Sequence, residues 1–355
     1  MNRQEKLLDG INLSSSVIAE IGALCNPLLT KAEADIRYID YADAETLRRH
    51  YSHNALIDPE KIVETDAIWG KQTLLEALNQ RVDFIVASHV IEHVPDLIAW
   101  LSELYSALTE QGQVRLAIPD RRFTFDFLRR ETELSDVLTA YITSPRVPQP
   151  HAIFDYYLNA TPVDHLAAWR GEVNEDTLQR PRNYEAAMDK AKDIIANGNY
   201  HDAHCWVFTP KSFATLLEQL GALGLISFEC DCFNDTEPDT IEFFVALRPS
   251  KDVAAIVESW QKMAKTVRLD VSVPLSEIDA RSSNRPTMEK IIENRNEIAL
   301  SQERQISDAL LAEVAELRQS LQCAQEEITQ LRHSRSWTLT RPLRALSTTL
   351  RSLKG

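Results

Sequence analysis

Several titratable side chains stand where short apolar runs end, the place from which residues of a parallel sheet meet a ligand. The first run, Val17-Ile18-Ala19-Glu20-Ile21, leads into Gly22-Ala23-Leu24-Cys25-Asn26-Pro27. Gly22 lets the chain turn sharply and lets a ligand approach the backbone, and Pro27 reads as the first residue of a helix. Leu24 and Asn26 occupy positions where a full phosphate-binding fingerprint would have further glycines, so a plain strand–helix turn fits as well. Asp40 closes the next run about 20 residues after the turn, where a carboxylate accepts hydrogen bonds from a ribose diol. A helix N-cap is the other use for an acid here, and Asp43 serves that at least as well. Asp66 follows a third run, Ile62-Val63-Glu64-Thr65, one strand further across, within reach of an adenine amine. His89 and His93, in Ser88-His89-Val90-Ile91-Glu92-His93, and Asp120 follow two more runs and are candidate general bases. Arg121 and Arg122 could hold a phosphate or carboxylate of an acceptor, or simply face solvent. Tyr200-His201-Asp202-Ala203-His204-Cys205-Trp206, with Cys230-Asp231-Cys232 later, raises a metal question. No C-x-x-C pair accompanies it, so no metal is expected and His204 reads better as an acceptor-side residue.

Bringing these residues together requires a sheet, and the first 250 residues supply its pattern. Apolar runs at 17–21, 36–40, 62–65, 82–87 and 114–118 alternate with helical patterns at 42–51, 71–79 and 95–108. This spacing predicts βαβ units with right-handed crossovers and a ligand crevice at the strands' carboxyl ends. Alternation stops after Pro119, and 121–205 reads as a helical insertion over that edge, interrupted by Pro145, Pro148, Pro150, Pro162 and Pro181. It resumes with a helix at 210–220 and strands at 225–233 and 241–247. The organisation expected is an α/β domain over 1–250, a helical linker over 251–300, a coiled coil over 301–334 and a basic tail over 335–355.

Composition narrows the class. The 355 residues carry 38 basic and 53 acidic side chains, a formal charge of −15, which lacks the footprint of a general nucleic-acid binder. No window approaches the roughly 18 apolar residues of a spanning helix, and Met1-Asn2-Arg3-Gln4-Glu5-Lys6 lacks a signal peptide's apolar core. Five cysteines leave at least one thiol unpaired, which suits a reducing cytoplasm.

Val82-Asp83-Phe84-Ile85-Val86-Ala87-Ser88-His89-Val90-Ile91-Glu92-His93-Val94-Pro95-Asp96 closely resembles the fourth-strand signature of class I S-adenosylmethionine-dependent methyltransferases, especially the methyltransferase-type-11 group. The 104–108 stretch, Gly112 and Val114-Arg115-Leu116-Ala117-Ile118-Pro119 resemble that family's following loop and fifth strand, with Glu110-Gln111-Gly112 in place of the usual proline–glycine pair. The resemblance covers roughly 15–120 by motif and extends to about 248 by topology. It implies a Rossmann-like, mainly parallel sheet and S-adenosyl-L-methionine as cofactor. Glu20 and Gly22 would contact the cofactor's methionine portion, Asp40 its ribose hydroxyls and Asp66 its adenine, with Ser88 and His89 lining the far side. The missing second and third glycines are a departure from the family. For a hydroxyl acceptor, His93, His89 or Asp120 would take the proton, although the residue at His93 more often steadies the turn in such folds. Arg121, Arg122 and His204 would face the acceptor, with Phe154, Asp155, Tyr156 and His165 forming a lid or packing it.

The C-terminal stretch differs from the rest. Leu310, Val314, Leu317, Leu321, Ala324, Ile328 and Leu331 recur at alternating spacings of 4 and 3, the stripe of a coiled coil or of one docked amphipathic helix. Beyond Glu327 come Arg332, Arg335, Arg341, Arg344, Arg351 and Lys354 and no acid. His333-Ser334-Arg335-Ser336-Trp337-Thr338-Leu339-Thr340-Arg341-Pro342-Leu343-Arg344 resembles the segment that follows coiled coils in bacterial enzymes of surface-polysaccharide synthesis. That resemblance implies O-methylation of a sugar or glycan intermediate, a homo-oligomer, and peripheral contact of the tail with the inner face of an anionic membrane. The rival expectations are a small-molecule or lipid acceptor, and a non-catalytic assembly protein that acts through its coiled coil.

Overall fold

A computed structural model of the chain describes residues 2–52, 57–70 and 72–268. The heptad stripe, the basic tail and most of the linker lie outside the described residues. Seven strands form one sheet: β1 Val17–Ile21, β2 Asp35–Asp40, β3 Ala67–Ile68, β4 Val82–Ser88, β5 Leu108–Pro119, β6 Phe228–Asn234 and β7 Glu242–Pro249. Their order is β3-β2-β1-β4-β5-β7-β6. The first five run parallel, and β7 runs antiparallel to both of its neighbours. This is the Rossmann-like α/β sheet with a helical insertion that the alternation implies. No helix among the described residues is long and apolar enough to cross a membrane.

Both faces of the sheet are covered, which is why its central strands read as unbroken apolar runs. Ile18, Val86, Ala117 and Phe244 point to one face and pack with Leu7 of helix α1 (Arg3–Leu8) and with Leu29 and Tyr38. Their neighbours Ala19, Ile85, Leu116 and Val245 point to the other, as period-two alternation demands. That face is covered by α3 (Leu74–Leu78), α4 (Leu97–Ala107), α9 (Pro210–Ala222) and α10 (Val253–Thr266). Between β2 and β3 lies α2 (Ala44–Tyr51), capped by Asp43, whose carboxylate accepts from Thr46 N at 2.7 Å. The insertion holds α5 (Leu134–Thr143), α6 (Pro150–Asn159), α7 (His165–Trp169) and α8 (Tyr184–Asn197). Pro150 is the first residue of α6, where its missing N–H costs nothing.

Two expected elements are displaced. Pro27 starts no helix, and the chain from Gly22 to Ala34 runs through turns. The backbone amides that a helix would use are engaged elsewhere: Leu28 N donates to the Glu20 carboxylate at 2.8 Å, and Thr30 N to Glu33 at 2.8 Å. The third strand is β3 at 67–68 and not 62–65, because Val63 N donates to Leu24 O at 3.0 Å and draws that stretch towards the first loop. Asp66 therefore precedes its strand.

Helix α10 closes the sheet's last edge. Trp260 is fully buried, and its indole N–H donates to Phe228 O at 2.9 Å. Gly221 of α9 admits it: a Cβ there would stand 2.5 Å from Ile256 Cγ2, on a buried, branched side chain that cannot swing away. Gly221→Ala is expected to destabilise the domain by about 1–3 kcal/mol through overpacking. A melting temperature equal to that of the unaltered chain would contradict this packing.

Candidate active site

The carboxyl ends of β1, β2 and β4, with the start of β7, converge on one edge. Gly22 leaves β1 at φ +72°, and its amide donates to Ile39 O at 2.9 Å. A Cβ on Gly22 would lie 3.1 Å from Val90 Cγ2, so the turn needs glycine for its dihedral and for the close approach of the β4 loop. The second left-handed residue is Leu24, at φ +46°, whose side chain packs with Ala44, Leu47 and Ile62 beneath α2. The loop thus closes without further glycines. Glu20 braces it, with both carboxylate oxygens accepting from Leu28 N, and burial pushes its carboxyl up to about 7 against the lowering effect of these bonds.

Asp40 ends β2 at this edge. Its carboxylate accepts from Tyr41 N at 2.8 Å, while burial raises it to about 6. The next residue, Tyr41, stacks on Tyr200 of the insertion, 6.1 Å between ring centres. Since Asp43 caps α2, Asp40 is not needed as the cap.

Beyond β4, His89 takes a left-handed φ of +52° and its amide donates to Ala117 O at 3.0 Å, which fixes the ring's direction. Its Nε2 lies 2.8 Å from Glu242, which also accepts from Arg3 Nε at 2.8 Å. Burial works against the charge of Glu242, yet His89 and Arg3 hold its carboxyl below the usual range. The guanidinium of Arg3 also reaches Ser88 Oγ, so α1 joins the end of β4 to β7.

At the centre lies Glu92, in a short 3₁₀ turn over Ile91–His93. It is fully buried, and neither carboxylate oxygen has a hydrogen-bond partner. Three imidazoles surround it: His89 Nδ1 at 3.6 Å, His93 Nε2 at 3.9 Å and His204 Nε2 at 4.0 Å. Behind His93, Asp202 Oδ1 lies 2.8 Å from Nδ1 and also accepts from the Tyr200 hydroxyl. Behind His204, Asp126 Oδ2 lies 2.6 Å from Nδ1. The His93 and His204 rings meet edge to face at 4.6 Å. Burial works against charge on His93, but Asp202, Glu92 and Asp126 together raise its pKa. Burial likewise opposes the charge on Asp202, yet His93 and Tyr200 draw it down to about 2. Arg129, 1% exposed, locks the insertion onto this cluster by donating to Asp126, Asp155 and His204 O at 2.7, 2.8 and 2.9 Å. The strap after His204 is fastened from below, since Cys205 N and Trp206 N both donate to Glu92 O.

Of the residues expected to act here, the structure gathers Glu20, Gly22, Asp40, Ser88, His89, His93 and His204. It sets four others aside. Asp120 is fully buried, and its carboxylate is engaged as a brace, accepting from Arg122 at 2.7 Å and Thr236 at 2.7 Å. Arg122 serves that pair, and Arg121 Nε donates to Arg129 O. Asp66 faces the opposite edge, paired with Lys31 and Tyr38 N beside a cavity of about 500 Å³. His201 turns away to Asp193 at 2.6 Å, and Cys230 and Cys232 sit on β6 at the sheet's edge. Glu92, Asp126, Arg129, Asp202 and Glu242 join this cluster without having been singled out from the sequence. Only Glu92 lay inside the quoted signature.

Residues 17–222, more than half of the chain, match the family model described as a methyltransferase domain. No curated protein matches the chain at a significant level. Among solved structures it is similar to a candidate Zn-dependent alcohol dehydrogenase from Rhodobacter sphaeroides, at 12% identity and a TM-score of 0.40 over 69% of this chain and 88% of that one. It is also similar to the CcbJ methyltransferase from Streptomyces caelestis, at 10% identity and a TM-score of 0.36 over 70% and 89% of the two chains. A third is the magnesium protoporphyrin IX methyltransferase from Synechocystis with bound SAH, at 12% identity and a TM-score of 0.28 over 67% and 76%. These overlaps are loose, and the family match is what bears on function.

Proposed function

The chain belongs to the methyltransferase-domain family and is an S-adenosyl-L-methionine-dependent enzyme, and we propose that it methylates a hydroxyl oxygen of a sugar or glycan intermediate in surface-polysaccharide biosynthesis. The observation that carries this reading is His93, backed by Asp202 at 2.8 Å and set at the carboxyl end of β4 under an aromatic insertion. When bound, the cofactor supplies a methyl group already activated on a sulfonium. What remains for the chain is to align the acceptor and to remove the hydroxyl proton, and a histidine oriented by a carboxylate does the second. Phe125 and Tyr156 lie 4.7 and 5.8 Å from the His204 ring, between ring centres, and offer flat apolar faces on which the C–H surface of a sugar can rest.

The residues at the edge fit the cofactor. Gly22 supplies the left-handed turn at the end of β1 and admits Val90 of the β4 loop close to its backbone, and Asp40 keeps a carboxylate with one backbone donor, able to accept from ribose hydroxyls. The segments outside the described residues enter the same reading: a coiled coil that makes a homo-oligomer, and a basic tail that places the enzyme at the inner face of a membrane, where lipid-linked glycan acceptors lie. Incubating the full chain with isotopically labelled donor and lipid-linked or nucleotide-linked sugars, then locating the label by mass spectrometry, tests the acceptor. Label found only on other acceptor classes would sink the sugar reading.

The state of Asp40 sets a pH dependence. A hydroxyl donor favours the carboxylate, so below a pKa of about 6 the free protein must lose a proton to bind. Affinity for S-adenosylhomocysteine is expected to rise by up to about tenfold per pH unit towards 6, then level off. Calorimetric titration between pH 5 and 8, roughly bracketing that value, should show the rise in the unaltered chain and a flat profile in Asp40→Asn. The same slope in both would remove Asp40 from the ribose site.

A further inference from the structure

Glu92 is the buried acid of this cluster that the proton chemistry above leaves unused. A carboxylate at 0% exposure whose two oxygens lack hydrogen-bond partners requires an explanation, and a bound ion is one of the few available. The imidazoles around it are arranged in a particular way. His204 turns Nδ1 onto Asp126 in a hydrogen bond of 2.6 Å, whereas His93 Nδ1 lies 2.8 Å from Asp202 without a hydrogen bond between them. A neutral His204 ring held so keeps its hydrogen on Nδ1 and leaves the Nε2 lone pair bare. The bare Nε2 of His204 then stands 4.0 Å from Glu92 and the Nε2 of His93 stands 3.9 Å from it, so ring nitrogens and a carboxylate gather around one point with nothing between them. A cation is the missing piece.

We propose that Glu92, His93 and His204 hold a divalent first-row transition-metal ion, with zinc the best match to two imidazoles and one carboxylate. The three donor atoms lie within 4.8 Å of one another. An ion equidistant from them would stand about 2.5 Å from each, and a small shift of side chains brings that to the roughly 2.0–2.2 Å of zinc–nitrogen and zinc–carboxylate bonds. Asp202 and Asp126 are then the outer carboxylates that orient ligating histidines, and Arg129 fixes Asp126 in turn. Three protein ligands leave a coordination position open. His93, whose side chain is 27% exposed, marks the side from which an ion or an acceptor oxygen can enter.

This inference rests on the acceptor site proposed above and deepens it. With the ion bound, His93 is a ligand and the ion meets the acceptor oxygen. The ion would acidify the hydroxyl that His93 deprotonates in the ion-free site, and the released proton would leave to water on the exposed side of the His93 ring as the oxygen gains the methyl group and the sulfonium becomes a neutral thioether.

The test uses the full chain, stripped with chelator and titrated with zinc by calorimetry and with cobalt(II) by visible absorption. One ion per chain is expected, with a cobalt spectrum showing nitrogen and oxygen ligation. Glu92→Gln and His204→Asn should each weaken binding by more than the roughly 10–100-fold that an outer-sphere change costs, and Asp126→Asn should fall within that range. His201→Asn should bind like the unaltered chain, since His201 is engaged with Asp193 outside the cluster. Circular dichroism checks that each variant is folded. No binding by the unaltered chain, equal binding by Glu92→Gln and His204→Asn, or loss in His201→Asn would each overturn the metal site. Methyl transfer to a sugar by the chelated chain would leave the acceptor reading intact while removing the ion, and ion binding without sugar methylation would do the reverse.

Discussion

Replacing His93 with asparagine is expected to lower kcat by roughly a hundredfold to ten-thousandfold, the range over which a positioned proton acceptor contributes. Asparagine keeps approximate size and a polar tip but cannot take a proton near neutral pH. Affinity for S-adenosylhomocysteine should stay within a few fold, because Gly22 and Asp40 stand on other strands. The split between kcat and cofactor affinity is the diagnostic. A variant that loses both has been disordered, and one that loses neither takes His93 out of the chemistry. The expected loss is the same whether the imidazole accepts the proton or ligates a cation that acidifies the hydroxyl, and the metal titration separates these roles.

Arg129→Met should have the largest effect on folding, about 3–5 kcal/mol, the cost of breaking a buried ion pair by removing one partner. Methionine matches much of the arginine's length but leaves Asp126, 2% exposed, with only His204 to balance it, and frees Asp155 and the His204 carbonyl. Urea denaturation measures the loss. Adding Asp126→Asn should restore part of it, because the stranded charge is then gone. A single variant within 1 kcal/mol of the unaltered chain, judged against that range, would mean the insertion is held down by other contacts.

The sheet was legible because its inner strands are buried on both faces. Ile18, Ile85 and Leu116 therefore sit in apolar runs that no helix period explains. The start of β5 was not, since Thr109-Glu110-Gln111-Gly112-Gln113 reads as a loop until its pairing with β4 is seen. The first loop misled for a similar reason. Pro27 is a good helix opener locally, but a buried Glu20 two residues before the glycine takes the Leu28 amide, and that bond is tertiary. The site divides along the same line. Gly22, Asp40 and His93 belong to short motifs and could be named in advance. Asp126 and Arg129 arrive from an insertion whose sequence shows their charge but not their burial, and Asp202 from a stretch that does not show its pairing with His93. Asp120 reads as a base because it ends a strand, and only the fold shows that the neighbouring Arg122 pairs with it.

Strand β7 holds a place that its position in the chain does not suggest. It is the last strand in sequence among those described, yet it lies between β5 and β6, and its first residue carries Glu242, the partner of both Arg3 and His89. Arg3 and Glu242 are 239 positions apart. On the ribosome the long, buried edge of β5 must therefore wait, unpaired, until the β6–β7 hairpin emerges and docks as a unit. An unpaired hydrophobic edge is a template for association between chains. Products that stop short of β7 should accordingly clump and not merely lose activity. The edge that carries His89 is thus a late product of synthesis, completed only when Glu242 arrives at the start of β7.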